Sequence, residues 1–329
     1  MEDIGHYLRL ALETLCLHLL SINDATTFRV FFVQDAHPGS PAIFSNGLAF
    51  IHILLIPEFD IDLHDLWFTY YHAAKNTADK NPILDRLVIQ IIQARELGAL
   101  RRPSPADASV TIEATTSDGV IWTDLPFLVP DDRVLAPGLA DDGRKNLLSF
   151  TTFLAKRASV GVCQDRLSGI GLALLCDALE TPRLLGASGE EEHGEEPARL
   201  PQDVTFATLL PAVNAWLSHA GHKIVQLADA RWESDACSLG ELFRGDPLCG
   251  SATPAGFSPE RWLFWLKRLE QIAEAAEGAG GKRLGGTVRR SMDNMLLVAD
   301  ERHSAVKQLL HYSPGVIRHE PMVQVFGPS

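Results

Sequence analysis

Ser258-Pro-Glu-Arg-Trp-Leu-Phe-Trp-Leu-Lys-Arg-Leu-Glu-Gln-Ile-Ala-Glu-Ala-Ala-Glu277 carries the pattern that decides the fold. Trp262, Trp265, Leu266, Leu269, Ile272, Ala273 and Ala276 recur at three-and-four spacing, so one stripe of a helix is apolar and needs a partner to cover it. The start is equally legible. Ser258 suits the N-cap, where its hydroxyl accepts from an otherwise unpaired amide; Pro259 suits the first turn; Glu260 complements the positive end of the helix dipole. Gly278-Ala-Gly-Gly281 ends the helix, and the glycines on to Gly286 read as a helix-to-helix linker.

The same rhythm extends outward. Pro82 to Leu97, capped by Asn81 and stopped by Gly98, turns Leu84, Leu87, Val88 and Ile91 inward. Leu63 to Lys75 places Leu66, Trp67, Tyr70 and Ala74 on one stripe, which makes a helical hairpin with Asn76 to Asn81 as its turn. Further helices are expected at 3–21, 144–160, 165–180, 206–228 and 287–310, with Pro211 kinking or splitting the fourth of these unless the helix begins there. Alternation at Val110 to Ala114, with turn residues Ser117-Asp118-Gly119 before Val120 to Trp122, predicts one small β-hairpin near 110–122. Arg101 to Ala106, with two prolines, reads as loose. The expected fold is mainly α, an irregular multi-helix array of about nine to eleven helices in a single domain over 1–329. A mobile acidic loop at 186–201 and a loose tail at 313–329 complete it.

Composition narrows the function classes. The 329 residues are 46% hydrophobic, enough for a large core. With 42 acidic against 29 basic side chains the formal charge is −13, which repels phosphate backbones and anionic headgroups, so neither nucleic acid nor membrane is expected as a partner. The five cysteines, at 16, 163, 176, 237 and 249, are odd in number and contain no C-x-x-C, so neither a disulfide framework nor a zinc cluster is indicated. The start Met1-Glu2-Asp3 has no basic n-region, and the apolar run Leu48 to Ile56 is far below the roughly 20 residues of a membrane span. An intracellular location, cytoplasmic or nuclear, is the expectation.

Four phrases carry a family resemblance. Gly256-Phe-Ser-Pro-Glu-Arg-Trp-Leu-Phe-Trp265 is the most specific, followed by Asp85-Arg-Leu-Val88, Trp122-Thr-Asp-Leu-Pro126 and Asn146-Leu-Leu-Ser-Phe-Thr-Thr-Phe-Leu154. Together they resemble a fungal family of uncharacterised helical proteins, a domain of unknown function, over roughly residues 60–301. The resemblance implies a fungal source and a helical fold, and supplies no reaction, ligand or active-site residue.

Several groupings invite a chemical reading, and each has a plainer one. Asp60-Ile-Asp62-Leu-His64-Asp65, with His52 and His72 nearby, offers metal-ligand chemistry, but acids entering a helix ordinarily act as caps. His219 and His222 share a helix face without a zinc-protease pattern around them. Asp131-Asp132, Asp141-Asp142 and Asp293-Asn294 lack the further acids with which helical diphosphate-processing enzymes such as class I terpene cyclases gather Mg²⁺. Gly281-Lys282-Arg283 is not a phosphate loop, since no strand precedes it and no Ser or Thr follows the lysine. There is no Gly-x-Ser-x-Gly elbow. The glutamates at 190–196 read as a solvated loop.

No catalytic, cofactor-binding or metal residue is therefore assigned, and no cofactor is called for. The leading function is a non-enzymatic protein-interaction or scaffold module with protein partners. The alternative is an enzyme or binding protein for a small apolar metabolite held between helices, with Trp122, His72 and His219 as pocket candidates.

Overall fold

A computed structural model describes residues 59–130, 144–186 and 204–312, apart from 105, 108, 164, 235–237 and 252. The predicted helix at 3–21, the glutamate run and the tail at 313–329 lie outside the described residues, as do His52 and the pairs Asp131-Asp132 and Asp141-Asp142. The described chain is mainly helical, with ten helical segments. They are α1 (Phe59–Lys75), α2 (Ile83–Glu96), α3 (Arg144–Ser159), α4 (Ser168–Leu175) continuing into a π turn (Cys176–Glu180), α5 (Phe206–Asp229), α6 (Glu241–Arg244), α7 (Pro259–Gly278), α8 (Lys282–Glu301) and α9 (Ala305–Tyr312). Between α2 and α3 run four short strands, β1 (Arg101–Pro103), β2 (Thr111–Glu113), β3 (Thr115–Thr116) and β4 (Gly119–Val120). Two compact units emerge, one from residues 59–70 and 89–128 and the other from 71–88 and 129–312.

In the first unit Leu63, Leu66, Trp67, Tyr70 and Ile91 are buried, as their helical spacing requires. The predicted hairpin is present but shorter than its alternation suggests. Only β3 pairs with β4, while β2 turns away to pair with β1, so Arg101–Pro103 is an ordered strand and not the loose segment its prolines suggest. The physical reason lies at Leu100, Ala114 and Ile121, all essentially inaccessible. Leu100 N donates to Ile121 O at 3.3 Å, Ile121 N to Ala114 O at 3.0 Å and Ala114 N to Leu100 O at 2.7 Å. That closed ring satisfies three buried amides at once and draws the stretch after α2 into the pairing.

The second unit is built on long helices. α3 packs chiefly on α5, and α8 on both α7 and α5. Trp216, Trp262, Trp265, Phe153 and Phe206 are wholly buried among them. Gly171 of α4 lets the Trp216 ring approach, since a Cβ there would stand 2.6 Å from it. The two best-read caps are observed: Ser258 Oγ accepts from Arg261 N at 3.2 Å, and Asn81 Oδ1 from Ile83 N at 3.0 Å.

Three expectations are corrected here. Helix α5 is not split at Pro211 but continues through it, and the proline's exposed position near the start costs one intrahelical bond on the side that water can reach. The glycine stretch is a linker only at Ala279–Gly281. α8 begins at Lys282, and Gly285 inside it clears the turn against α7, because a Cβ there would stand 2.9 Å from Glu277 Cγ. Finally, the run expected as one helix to residue 310 is two, broken where His303 takes a left-handed φ of 51° and its amide bonds back to Asp300 O. Asp229 then caps α9 from α5, accepting from Ser304 Oγ at 2.6 Å and Ala305 N at 3.0 Å.

Candidate functional site

Two buried charged groups of the second unit, Arg261 and Glu180, meet each other with 0% of either side chain exposed. Arg261 sits in the first turn of α7, and Glu180 closes the π turn that follows α4. A guanidinium has five N–H donors, and all five are used. Nε reaches Glu180 Oε1 at 2.5 Å and Nη2 reaches Glu180 Oε2 at 2.9 Å, a forked pair. Nη2 also lies 2.8 Å from Cys176 Sγ, and Nη1 donates to Ala255 O and, at 2.9 Å, to Gly256 O. Glu180 is filled in turn: Oε1 accepts from Trp265 Nε1 at 2.8 Å and Oε2 from Gly240 N at 2.8 Å.

Local sequence explains how the pieces meet. The π turn places Cys176 and Glu180 toward the same guanidinium. Gly240 and Gly256 are the residues that allow contact: a Cβ on the first would stand 2.3 Å from Glu180 Cβ, and on the second 1.7 Å from Trp232 O. Phe257 N donates to that same Trp232 O at 2.9 Å, which locks the segment leading into α7. Chemically the arrangement is a saturated ion pair. It fixes three chain segments and engages all five guanidinium N–H groups and both carboxylate oxygens.

The first unit holds a different arrangement around the candidate Trp122. Trp122, Leu125 and Phe127 have φ of 69°, 50° and 64°, a left-handed backbone that side chains with a Cβ seldom adopt. Two carboxylates hold it. Asp124 Oδ2 accepts from Val120 N at 2.7 Å, and Asp118 Oδ2 from Phe127 N at 2.8 Å. Trp67 Nε1 donates to Pro126 O at 2.6 Å, and His64 stacks on Phe127 with ring centroids 4.3 Å apart. Trp122 itself is 7% exposed, and its indole N–H is buried with no hydrogen-bond partner.

His72 and His219 are exposed residues of the second unit. His72, near the end of α1, meets the Asn76 side chain at 3.1 Å. His219, on α5, has its pKa lowered, first by loss of hydration against the protein surface and then by the Lys156 ammonium, with Asp85 and Asp79 opposing. Lys156 is itself paired with Asp85 at 2.5 Å. His222 lies 3.3 Å from Glu301 instead of joining His219 in a ligand pair. Among the described residues no three His, Cys, Asp or Glu side chains gather closely enough to hold a metal ion, and no helix is long and apolar enough to cross a membrane.

Glu180 and Arg261 were not singled out by the sequence. One signal was available: an arginine in the first turn of a helix opposes the dipole, so Arg261 needed a compensating acid. Its partner, 81 residues away, was not readable from local pattern.

The family model described as "Protein of unknown function (DUF3632)" matches residues 67–269. The chain belongs to this family. The matched span opens at Trp67, which anchors the left-handed loop, and takes in Trp122, Glu180, Arg261 and Trp265, so both arrangements, His64 apart, fall inside the family region. A relative from Penicillium oxalicum, "Oxopyrrolidines biosynthesis cluster protein G", is 34% identical over 271 residues, which cover 81% of this chain and 74% of the relative. No solved structure matches the chain.

Proposed function

We propose that the chain is a non-enzymatic protein-interaction module serving a fungal biosynthetic system. The observation that carries this reading is the saturation of Arg261 and Glu180. Arg261 and Glu180, both wholly buried, spend the five guanidinium donors and both carboxylate oxygens on holding segments together, as a rigid binding scaffold requires and as a general acid or base cannot. The name of the Penicillium oxalicum relative supplies the biosynthetic setting.

The experiment titrates purified enzymes of the host's biosynthesis cluster, one at a time, against the immobilised full chain. Saturable binding of at least one enzyme in the micromolar range or tighter is the expected result. Failure of every enzyme to bind, together with a small molecule released from the purified chain in native mass spectrometry, overturns it in favour of a metabolite-binding role. The strained loop with the buried indole N–H of Trp122 is what favours that second reading.

A further inference from the structure

We infer that the outer face of α8 is a self-association surface, which pairs antiparallel with α8 of a second copy of this chain. The face is set by helix geometry. At 100° per residue, Lys282, Arg283, Gly286, Arg290, Asp293, Leu297, Asp300 and Glu301 fall within a stripe of roughly 100°. All are exposed except the half-buried Asp293, and Leu297 keeps 54% of its surface. The opposite side, with Leu284, Val288, Met292, Met295 and Val298, is committed to the core.

Charge along the stripe is polarised. Lys282, Arg283 and Arg290 occupy its first half, and Asp293, Asp300 and Glu301 its second. Turning a second copy end for end about the point between Ser291 and Met292 sets Lys282 opposite Glu301, Arg283 opposite Asp300 and Arg290 opposite Asp293. The same operation sets Leu297 opposite Gly286, where a Cβ would meet nothing within 4 Å, so the leucine has an open place to enter. Two-fold symmetry repeats each pairing, as an isologous interface demands. A parallel copy places like charges together instead.

The bonds of Asp300, Glu301 and Arg290 are compatible with this pairing. Asp300 accepts from Lys307, Glu301 lies 3.3 Å from His222, and Arg290 donates to Thr287 Oγ1 at 3.1 Å. A carboxylate has about four acceptor positions and a guanidinium five donors, so each can take a second partner. A contact about 30 Å long and one helix wide lies at the small end of specific interfaces, which makes the dimer weak.

Sedimentation equilibrium of the full chain at low salt, over a concentration series, tests the register. The wild-type chain should dimerise. Arg290→Asp alone and Asp293→Arg alone each set two like-charge pairs across the axis, and each should weaken the dimer about 10-fold. The double variant Arg290→Asp/Asp293→Arg restores opposite charges and should return to within about 3-fold of wild type. Circular dichroism and melting of each variant separate loss of pairing from loss of fold. A wild-type chain that stays monomeric to several hundred micromolar, single variants that dimerise as well as wild type, or a double variant no tighter than the singles overturns the inference.

Discussion

The Arg261–Glu180 junction and the Trp122 loop both lie within the region matched by the family, yet they handle buried polarity in opposite ways. At the junction five donors meet five acceptors, and two glycines, Gly240 and Gly256, permit the close approach of the backbone. In the loop three residues with side chains sit at positive φ, two aspartates hold the backbone, and the Trp122 N–H is left over. The first is a place where polarity specifies structure. The second stores cost that packing elsewhere in its own unit must offset, as strained segments at binding sites commonly do.

Removing one member of the junction should have the largest effect. Arg261→Met takes away the fork and leaves Glu180 buried with only Trp265 and Gly240 as donors, so unfolding free energy should fall by about 3–5 kcal/mol. Urea denaturation followed by tryptophan fluorescence reads it directly. A loss under about 1 kcal/mol would show that the network is not the joint its geometry describes.

A matched pair of substitutions sharpens the contrast. Trp265→Phe removes a donor that Glu180 uses, and should cost about 1–3 kcal/mol through the unmet acceptor and the lost ring volume. Trp122→Phe loses similar volume but also relieves an unpartnered donor, so its net cost should be smaller by about 1 kcal/mol or more. Thermal unfolding of the two variants side by side decides it. Equal costs would mean that the Trp122 N–H is met by an ordered water, and the distinction between the two regions would disappear.

How much of this was legible follows from the range of each interaction. Ser258 and Asn81 were readable as caps because a cap bonds two or three residues away, and Trp262 to Ala276 were readable as a buried stripe because helical period is local. The extent of α8 is not legible because Gly285 and Gly286 look like linker residues in isolation, while the reason for Gly285 is Glu277 on the preceding helix. Strand β1 was missed for a similar reason, since its order comes from pairing with β2 across the intervening loop. Among site residues, Trp122 was named for its position beside an irregular turn, and it does lie in irregular backbone. The junction lay beyond reach, because no local pattern pairs a glutamate ending one helix with an arginine opening another.

The smallest effect concerns His219, which sets the surface of the second unit against its interior. Partial dehydration and the Lys156 ammonium both disfavour the imidazolium in the folded chain, and Asp85 and Asp79 only partly oppose them. The folded pKa is therefore below the unfolded one, so the unfolded chain binds the extra proton first as pH falls. Above the unfolded value, near 6.5, His219 is neutral in both states and costs nothing. Between that value and the lower folded pKa, stability declines, and below it the loss is complete. Because the ring is exposed and the ion pair Lys156–Asp85 is screened by salt, the loss should amount to about 1 °C in melting temperature. His219→Gln should remove that increment between pH 7.5 and pH 5 while leaving the melt at pH 7.5 unchanged. A variant that loses stability equally at both pH values would instead place the histidine's contribution in its packing on α5, with the neighbouring charges irrelevant to it.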